Sequence, residues 1–305
     1  MKYCESYADL IAHTPLVRLG NMDFPGTVNV FAKMELLNPT GSSKDRMARA
    51  MIEAAEKEGK LSRDSIIVEA SSGNAGISIA FVSISRGYHT IIVLPTKFSQ
   101  EKHNLLRALG AEIVNTPKEN GMKGAFDMVR KLLEKHKNAV CLDQFSNIAN
   151  SRVHFETTGP EIYNALDGQI DYFVSGAGTG GTISGVMGYM KTKNKNIKGV
   201  LADPVGSTMG GGTENHYLIE GIGNSFMPKI MDMTLVDEVF KVSDAEAFSE
   251  SKQLALKEGI LAGSSSGAVL AAARKLSKQI DRGNIVVVLA DRGDRYFSKN
   301  LYTQS

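Results

Sequence analysis

The chain has 305 residues, enough for two packed domains with ample cores. Its 35 lysines and arginines and its 33 aspartates and glutamates are interspersed and leave a formal charge of +2, so neither nucleic acid nor an anionic membrane is an expected partner. The two cysteines, Cys4 and Cys141, are too few and too far apart for a disulfide framework or a metal site. With no signal peptide and no run of roughly 18 apolar residues, we expect a cytoplasmic protein.

Short β-rich runs alternate with helical patterns along most of the chain. The β-rich runs are continuously apolar and lie at 66–68, 91–94, 139–142, 172–174, 199–201 and 285–289. Helices are predicted over about 74–86, 99–109, 122–135, 182–192, 244–258 and 265–278. This alternation predicts an α/β fold with parallel sheets that helices cover on both faces. The longest irregular segment, about 204–234, is expected to cover a site.

Lys44 follows a polar stretch rich in small residues and begins another predicted helix, which Gly59 ends. One face of this helix is apolar and the other is polar, with Arg46 among the residues of the polar side. Because an ammonium is disfavoured at the positive end of a helix dipole, the neutral amine that Schiff-base chemistry needs becomes easier to form. The alternative is a solvated lysine in a polar first turn.

Two further loops of small residues each follow a strand and open a helix. The first, 69–76, would offer backbone N–H groups to a carboxylate or phosphate, or would serve only to cap the helix. The second, 176–182, matches the pattern G-x-G-x-x-G, and Asp203 ends the next strand as in a dinucleotide site. Its threonines suit a terminal phosphate better than a pyrophosphate. A nicotinamide-dependent oxidoreductase therefore remains an alternative, although it leaves Lys44 without a role.

Four motifs in this order resemble the pyridoxal-phosphate enzymes of the tryptophan-synthase-β fold type: NPxGSxKDR, SGNxG, GTGGT and SSG, at 38–46, 72–76, 178–182 and 265–267. The resemblance extends from residue 14 to residue 296. It is nearest to the cysteine synthase (O-acetylserine sulfhydrylase) and cystathionine β-synthase family, and 142–145 and 157–161 are closest to its cysteine synthase B branch. It implies a two-domain α/β fold of type II with parallel sheets.

The resemblance also implies residues that hold pyridoxal 5'-phosphate. Lys44 would form the covalent link and later carry the Cα proton, Asn74 would bind the ring hydroxyl, and Ser265 would bind the pyridine nitrogen. The phosphate would be held by Gly178, Thr179, Gly180, Gly181 and Thr182. A serine at the ring nitrogen supplies a hydrogen bond without a negative charge, which suits β-elimination.

The substrate site is implied in the same way. The residues expected to face the amino-acid substrate are Ser71, Ser72, Asn74, Gln144, Gly221 and Asn224. Ser71 and Ala75 replace the threonines of the usual family motif TSGNTG, so the carboxylate pocket is expected to be slightly roomier. Asn224 would influence which nucleophile attacks. Glu220 would either reach the β-carbon side and help to position a thiol or a water, or, as the favoured alternative, be a solvent-facing carboxylate on a mobile loop.

The expected reaction is β-replacement on an L-serine or L-cysteine derivative, with O-acetylserine and sulfide giving L-cysteine and acetate as the main hypothesis. The alternatives release sulfide from cysteine and form serine, lanthionine or cystathionine, or resemble cystathionine β-synthase. We expect a smaller mobile domain at 39–149, a larger phosphate-binding domain formed by 1–38 and 150–305, and a homodimer that acts on small amino acids.

Overall fold

The strands of the protein form two sheets. The computed structural model describes residues 3–96 and 98–303. Its strands are β1 (Leu16–Arg18), β2 (Val28–Lys33), β3 (Ile66–Ala70), β4 (His89–Pro95), β5 (Glu112–Thr116), β6 (Ala139–Val140), β7 (Tyr172–Gly176), β8 (Lys198–Pro204), β9 (Glu238–Val242) and β10 (Gly283–Val288). The larger sheet has the order β1-β2-β10-β7-β8-β9, and the smaller has the order β5-β4-β3-β6. The pairing of β1 with β2 is antiparallel, and the other strand pairs are parallel.

Helices connect most of the parallel strands. They are α1 (Lys44–Lys57), α2 (Asn74–Ile84), α3 (Gln100–Ala108), α4 (Gly121–Lys135), α5 (Ile148–Val153), α6 (Gly159–Ala165), α7 (Gly181–Lys193), α8 (Asp244–Glu258) and α9 (Ser264–Ser277). A single π turn, His154–Thr158, joins α5 to α6. Within residues 3–96 and 98–303, no helix is both long and apolar enough to cross a membrane.

Both sheets are buried on both faces, as the continuous apolar runs predict. One core forms where α8 and α9 cover the larger sheet, and a second forms under α7 on its opposite face. The smaller sheet has α1 and α2 on one face and α4 on the other. The α/β fold with parallel sheets is therefore confirmed. In such sheets, ligands bind beyond the carboxyl ends of the strands.

The smaller sheet lies entirely within 39–149, and the larger sheet is built from segments outside that range. The helix that begins at Lys44 packs on α2 and α5. Whether 39–149 moves as a domain stays a prediction.

Candidate active site

A cleft opens beside the carboxyl ends of β7 and β10 and holds about 430 Å³ of space free of protein atoms, open solvent included. Five separate segments of the chain contribute to its wall: the start of α1, the end of β7 with the loop after it, a turn in the irregular segment, the first turns of α9, and the end of β10. The predicted site residues that line it are Lys44, Gly178, Thr179, Gly180, Gly181, Thr182, Gly221 and Ser265. Segments that are far apart in the sequence thus meet at one concave site, the usual form of a small-molecule binding site.

Lys44 is the first residue of α1, and its side chain is partly accessible from the cleft. The preceding residue, Ser43, donates its backbone N–H to the carbonyl of Ala290 at 2.9 Å, which fixes the start of the helix against the end of β10. Burial lowers the pKa of the Lys44 amine, and the charges of Asp291 and Glu35 oppose this in part. The predicted direction is confirmed, and its main cause is desolvation by the surrounding protein.

The loop after β7 is shaped to approach other backbone closely. A Cβ atom on Gly178 would lie 2.6 Å from the carbonyl oxygen of Gly221, and Gly180 has a φ of +85°. Helix α7 begins at Gly181, so its first N–H groups have no partner within the helix. These groups and the helix dipole favour an anion here. The loop can therefore receive a phosphate or another anion, and its predicted role in holding a phosphate stays a prediction.

His154 is a residue of this site that the sequence alone did not reveal. Its Nε2 lies 3.2 Å from Thr182 Oγ1 and its Nδ1 lies 2.9 Å from Thr158 Oγ1. Burial, together with the nearby Arg46 charge, lowers the pKa of His154 to about 3, so the ring is neutral at physiological pH. A neutral imidazole can orient the Thr182 hydroxyl without adding charge.

Ser265 lies in the first turn of α9, is 3 % exposed, and lines the cleft opposite Gly221. A Cβ atom on Gly221 would lie 3.9 Å from Ser265 Oγ. The neighbouring Ser264 accepts the backbone N–H of Glu220 at 3.0 Å, which ties this turn to the irregular segment. Ser265 is thus held at a fixed place on the wall.

The loop after β3 is arranged differently. Ser71, Ser72, Asn74 and Gln144 are not among the residues that line the cleft. Ser71 Oγ accepts the N–H groups of Gly73 and Gly76, each at 2.9 Å, so it acts as an internal cap of α2. Their substrate roles stay predictions.

Gln144 is held close to that loop. Its side-chain amide donates to the carbonyl oxygen of Ala70 at 2.9 Å, and its backbone N–H donates to Glu69 Oε1 at 3.1 Å. Glu69 Oε2 accepts two further backbone N–H groups, those of Leu142 and Asp143. Burial raises the pKa of the Glu69 carboxyl to about 7, although these donors favour its ionised form. The segment 142–144 is therefore fastened to the end of β3.

Asn224 and Glu220 make contacts that the sequence did not predict. Asn224 Nδ2 donates to the carbonyl oxygen of Gly178 and so supports the phosphate loop. The expectation of a solvent-facing Glu220 is wrong, because its carboxylate forms a 2.7 Å ion pair with Lys102 of α3. The side chains of Lys102 and Glu220 are 1 % and 11 % exposed, so the pair is largely buried. It links the helix after β4 to the irregular segment.

The expected position of Arg46 on the polar face of α1 is also wrong. Its guanidinium is fully buried and donates to Glu35 and Glu161, with ion-pair distances of 2.7 Å to both. The Arg46 charge contributes to lowering the pKa of Glu35 to about 2, although burial alone would raise it. This network lies behind Lys44 and fastens α1 to residues before β3 and after β6.

Comparison with known proteins gives consistent results. Residues 7–291 match the family described as pyridoxal-phosphate dependent enzymes. The chain is 44 % identical over 295 residues to an O-acetylserine dependent cystathionine beta-synthase of Bacillus subtilis, covering 96 % of both chains. It is 42 % identical over 305 residues to a cysteine synthase of Staphylococcus aureus, covering 99 % of this chain and 98 % of the relative. A hydrogen sulfide-producing enzyme from Fusobacterium nucleatum superposes with a TM-score of 0.94 at 38 % identity, covering 96 % and 100 % of the two chains.

Proposed function

The chain belongs to the pyridoxal-phosphate-dependent enzymes, and we propose that it catalyses β-replacement with O-acetylserine and sulfide as substrates and L-cysteine and acetate as products. Its α/β fold is the type II fold of these enzymes. The observation that carries the proposal is the amine of Lys44 in the same cleft as the phosphate loop 178–182. In this arrangement Lys44 can move a proton while the loop 178–182 holds the cofactor.

The residues around the cleft have separable roles in this proposal. When bound, pyridoxal phosphate would accept the electrons that the Cα–H bond of the substrate leaves behind when the proton is removed. Lys44 accepts that proton, because burial favours its neutral amine. Ser265 contacts the pyridine nitrogen as a neutral partner, and Asn74 contacts the ring hydroxyl. The phosphate is held by Gly178, Thr179, Gly180, Gly181 and Thr182.

The substrate carboxylate is assigned to the loop after β3, namely Ser71, Ser72 and Asn74, together with Gln144. In the structure Ser71 Oγ accepts two backbone N–H groups, and its own hydroxyl hydrogen remains for a carboxylate. We propose that the domain 39–149 moves toward the domain formed by 1–38 and 150–305 when the substrate binds. This motion would bring Ser71 and Ser72 to the cleft and exclude water from it, whereas Asn74 is already tied to Asp291, next to the cleft residue Ala290.

The nucleophile has three candidates: sulfide, a thiol amino acid and water. The Bacillus subtilis cystathionine beta-synthase supports a thiol amino acid, and the hydrogen sulfide-producing enzyme of Fusobacterium nucleatum supports a reaction that releases sulfide. Gly221 lines the cleft and Asn224 anchors the loop beside it, so this turn borders the place where a nucleophile would enter. The nicotinamide alternative loses its support, because the family uses pyridoxal phosphate and Asp203 is paired with Lys241 at 2.5 Å.

Product analysis tests the proposed reaction. The purified protein loaded with pyridoxal phosphate would receive O-acetylserine or cysteine, each beside sulfide, homocysteine or water, and the products would be identified by mass spectrometry. We expect cysteine from O-acetylserine and sulfide as the fastest conversion. Faster formation of cystathionine, or of serine and sulfide from cysteine, would replace it with the corresponding alternative.

We also propose a homodimer. Tyr7, Leu10, Leu37 and Ile84 expose large apolar side chains, and Tyr7 packs on Phe81 with a ring-centroid distance of 5.6 Å. Exposed apolar side chains of this size favour a second copy of the chain as their partner. In sedimentation experiments, Leu10→Lys with Ile84→Lys should yield monomers. Both cysteines are free, which supports a reducing, cytoplasmic location.

A further inference from the structure

The side-chain amide of Asn74 is held by two charged residues from one turn near the C-terminus. Asn74 Nδ2 donates to Asp291 Oδ2 at 2.6 Å, and Asn74 Oδ1 accepts from Arg295 Nη1 at 2.5 Å. Both contacts join residues more than 200 positions apart in the sequence. Asn74 is also the residue to which the proposed function assigns the ring hydroxyl of the cofactor.

These two partners permit one orientation of the amide. A guanidinium can only donate hydrogen bonds, and an ionised carboxylate can only accept them. Turning the amide by 180° would place its NH₂ group against Arg295 and its oxygen against Asp291, so both contacts would become repulsive. The nitrogen of Asn74 is therefore fixed by the charges around it, and its second hydrogen remains free for a ligand.

The two charged residues are themselves well anchored. Asp291 and Arg295 are 1 % and 2 % exposed. The Tyr296 hydroxyl donates to Asp291 Oδ2, and Arg295 Nη2 donates to the carbonyl oxygen of Thr40. The backbone carbonyl of Asp291 accepts the N–H of Gly263 at 3.0 Å, beside the start of α9. The turn thus connects the segment before Lys44, the start of α2 and the wall that carries Ser265.

One feature of Asp291 points beyond a structural role. Its Oδ1 is buried without a hydrogen-bond donor among the residues that the structure describes. Native proteins seldom leave such a group unsatisfied, because its desolvation is costly, and the exceptions are enriched at functional sites. Asp291 also directly follows Ala290, which lines the cleft.

We propose that Asp291 and Arg295 are positioning residues that act through Asn74, presenting its free Nδ2–H to the ring hydroxyl of pyridoxal phosphate. A donor at this place favours the ionised ring oxygen, whereas a turned amide would present an oxygen and disfavour it. The pair thereby sets the protonation of the bound cofactor. This inference rests on the role of Asn74 in the proposed function.

The test follows the visible absorption of the cofactor-loaded protein as a function of pH. Arg295→Met removes the donor that holds Asn74 Oδ1. Because a correctly oriented Asn74 favours the ionised ring oxygen, we expect the midpoint of the absorption change to rise by about one pH unit, a roughly tenfold change in the protonation equilibrium. Arg295→Lys keeps a donor and should restore most of the original midpoint. Asp291→Asn should move the midpoint in the same direction but by less, because the new amide can still accept from Asn74.

A double-mutant cycle separates action through Asn74 from a direct effect of charge on the cofactor. In an Asn74→Ala background, Arg295→Met and Asp291→Asn should cause no further shift. Equal shifts in both backgrounds, or unchanged midpoints in both single variants, would overturn the inference. Asp294→Asn is the matched control, since this carboxylate is exposed in the same turn and should leave the midpoint unchanged.

A folding failure and a wrong proposed function can each be told apart from a wrong inference about Asn74. If Arg295→Met does not fold, the nearly isosteric Asp291→Asn still gives the readout in both backgrounds. If product analysis contradicts the proposed β-replacement while the midpoints respond as expected, the proposed substrate is wrong and the positioning of Asn74 stands, because the absorption needs no substrate.

Discussion

The loops 176–182 and 71–76 have similar compositions, but the first lines the cleft and the second does not. Each follows a parallel strand and begins a helix, and each is rich in glycine and small polar residues. The first lines the open cleft, where the N–H of Gly181 donates to Thr179 Oγ1 at 3.3 Å and the next N–H groups of α7 have no partner within the helix. In the second, Ser71 caps its own helix, and Asn74 is held by Asp291 and Arg295.

The difference comes from what packs against each loop. The glycines of the first approach only backbone and neutral side chains, whereas the side chain of Lys102 lies directly over Gly73, where a Cβ atom would be 2.3 Å from Lys102 Cδ. Lys102 is in turn held by Glu220. The loop 176–182 is therefore open to the proposed phosphate, and the loop 71–76 would need a rearrangement before it could take the proposed carboxylate. This is the physical argument for a mobile domain at 39–149.

Replacing Lys44 should have the largest effect, because the proposed function uses this residue both to link the cofactor and to accept the Cα proton. Lys44→Ala should lower turnover by about 10³-fold or more, since it removes the base that moves the Cα proton. It should also abolish the covalent link between protein and cofactor. Borohydride reduction followed by mass spectrometry checks this. A cofactor adduct that persists in the variant would show that another lysine forms the link.

Disruption of the loop 176–182 should have the second largest effect. Gly180→Asp with Thr182→Ala places a carboxylate beside the phosphate and removes one donor, so we expect cofactor affinity to fall by about 100-fold or more. A Cβ atom on Gly180 would also lie 2.6 Å from Met231 Sδ, so the new side chain displaces the loop as well. Cofactor occupancy after dialysis measures the effect. Unchanged occupancy would mean that 176–182 is only a packing turn.

A change in the loop 71–76 should have a smaller and more selective effect. Gly73→Ala would push the new methyl group into Lys102 and strain a backbone φ of +123°, so the loop should lose its geometry. We expect KM for the amino-acid substrate to rise about tenfold, a cost of about 1.4 kcal/mol, while cofactor affinity stays unchanged.

Gly110→Ala is the matched control for Gly73→Ala. Gly110 follows α3 with a φ of +72°, and no atom lies within 4 Å of its added Cβ. It carries a similar backbone cost without the clash. If both variants raise KM equally, the effect comes from reduced stability, and the contrast between the two loops does not explain substrate binding.

The sequence predicted the parts of the site that depend on local composition. The helix starts at Lys44, Gly181 and Ser264 follow from small residues between a strand or polar stretch and an amphipathic run. Strands β1, β2, β5 and β9 escaped prediction, because β1 has only three residues and polar residues interrupt or bound the apolar runs of the other three. Whether an element is predicted thus depends on the residues of one short stretch of sequence.

Long-range contacts could not be predicted in this way. Arg46 fits the polar face of α1 by sequence, and only the placement of Glu35 and Glu161 beside it explains its burial. Glu220 has its partner 118 positions away, on α3. A charged residue near a predicted glycine loop can therefore be a buried connection between distant segments, and its spacing in the sequence does not reveal this.

The smallest expected effect concerns the place where the irregular segment meets the loop 176–182. Asn224→Ala removes the donor to the carbonyl oxygen of Gly178, a hydrogen bond worth about 1 kcal/mol. We expect up to about a fivefold change in the ratio of products from competing nucleophiles, because the loosened wall borders their entry. Asn215→Ala is the control, since this exposed residue lies in the same segment and its side chain caps only His216. A lower cofactor affinity with an unchanged product ratio would assign Asn224 to loop support alone. In that case the choice of nucleophile must be made by other residues of the cleft.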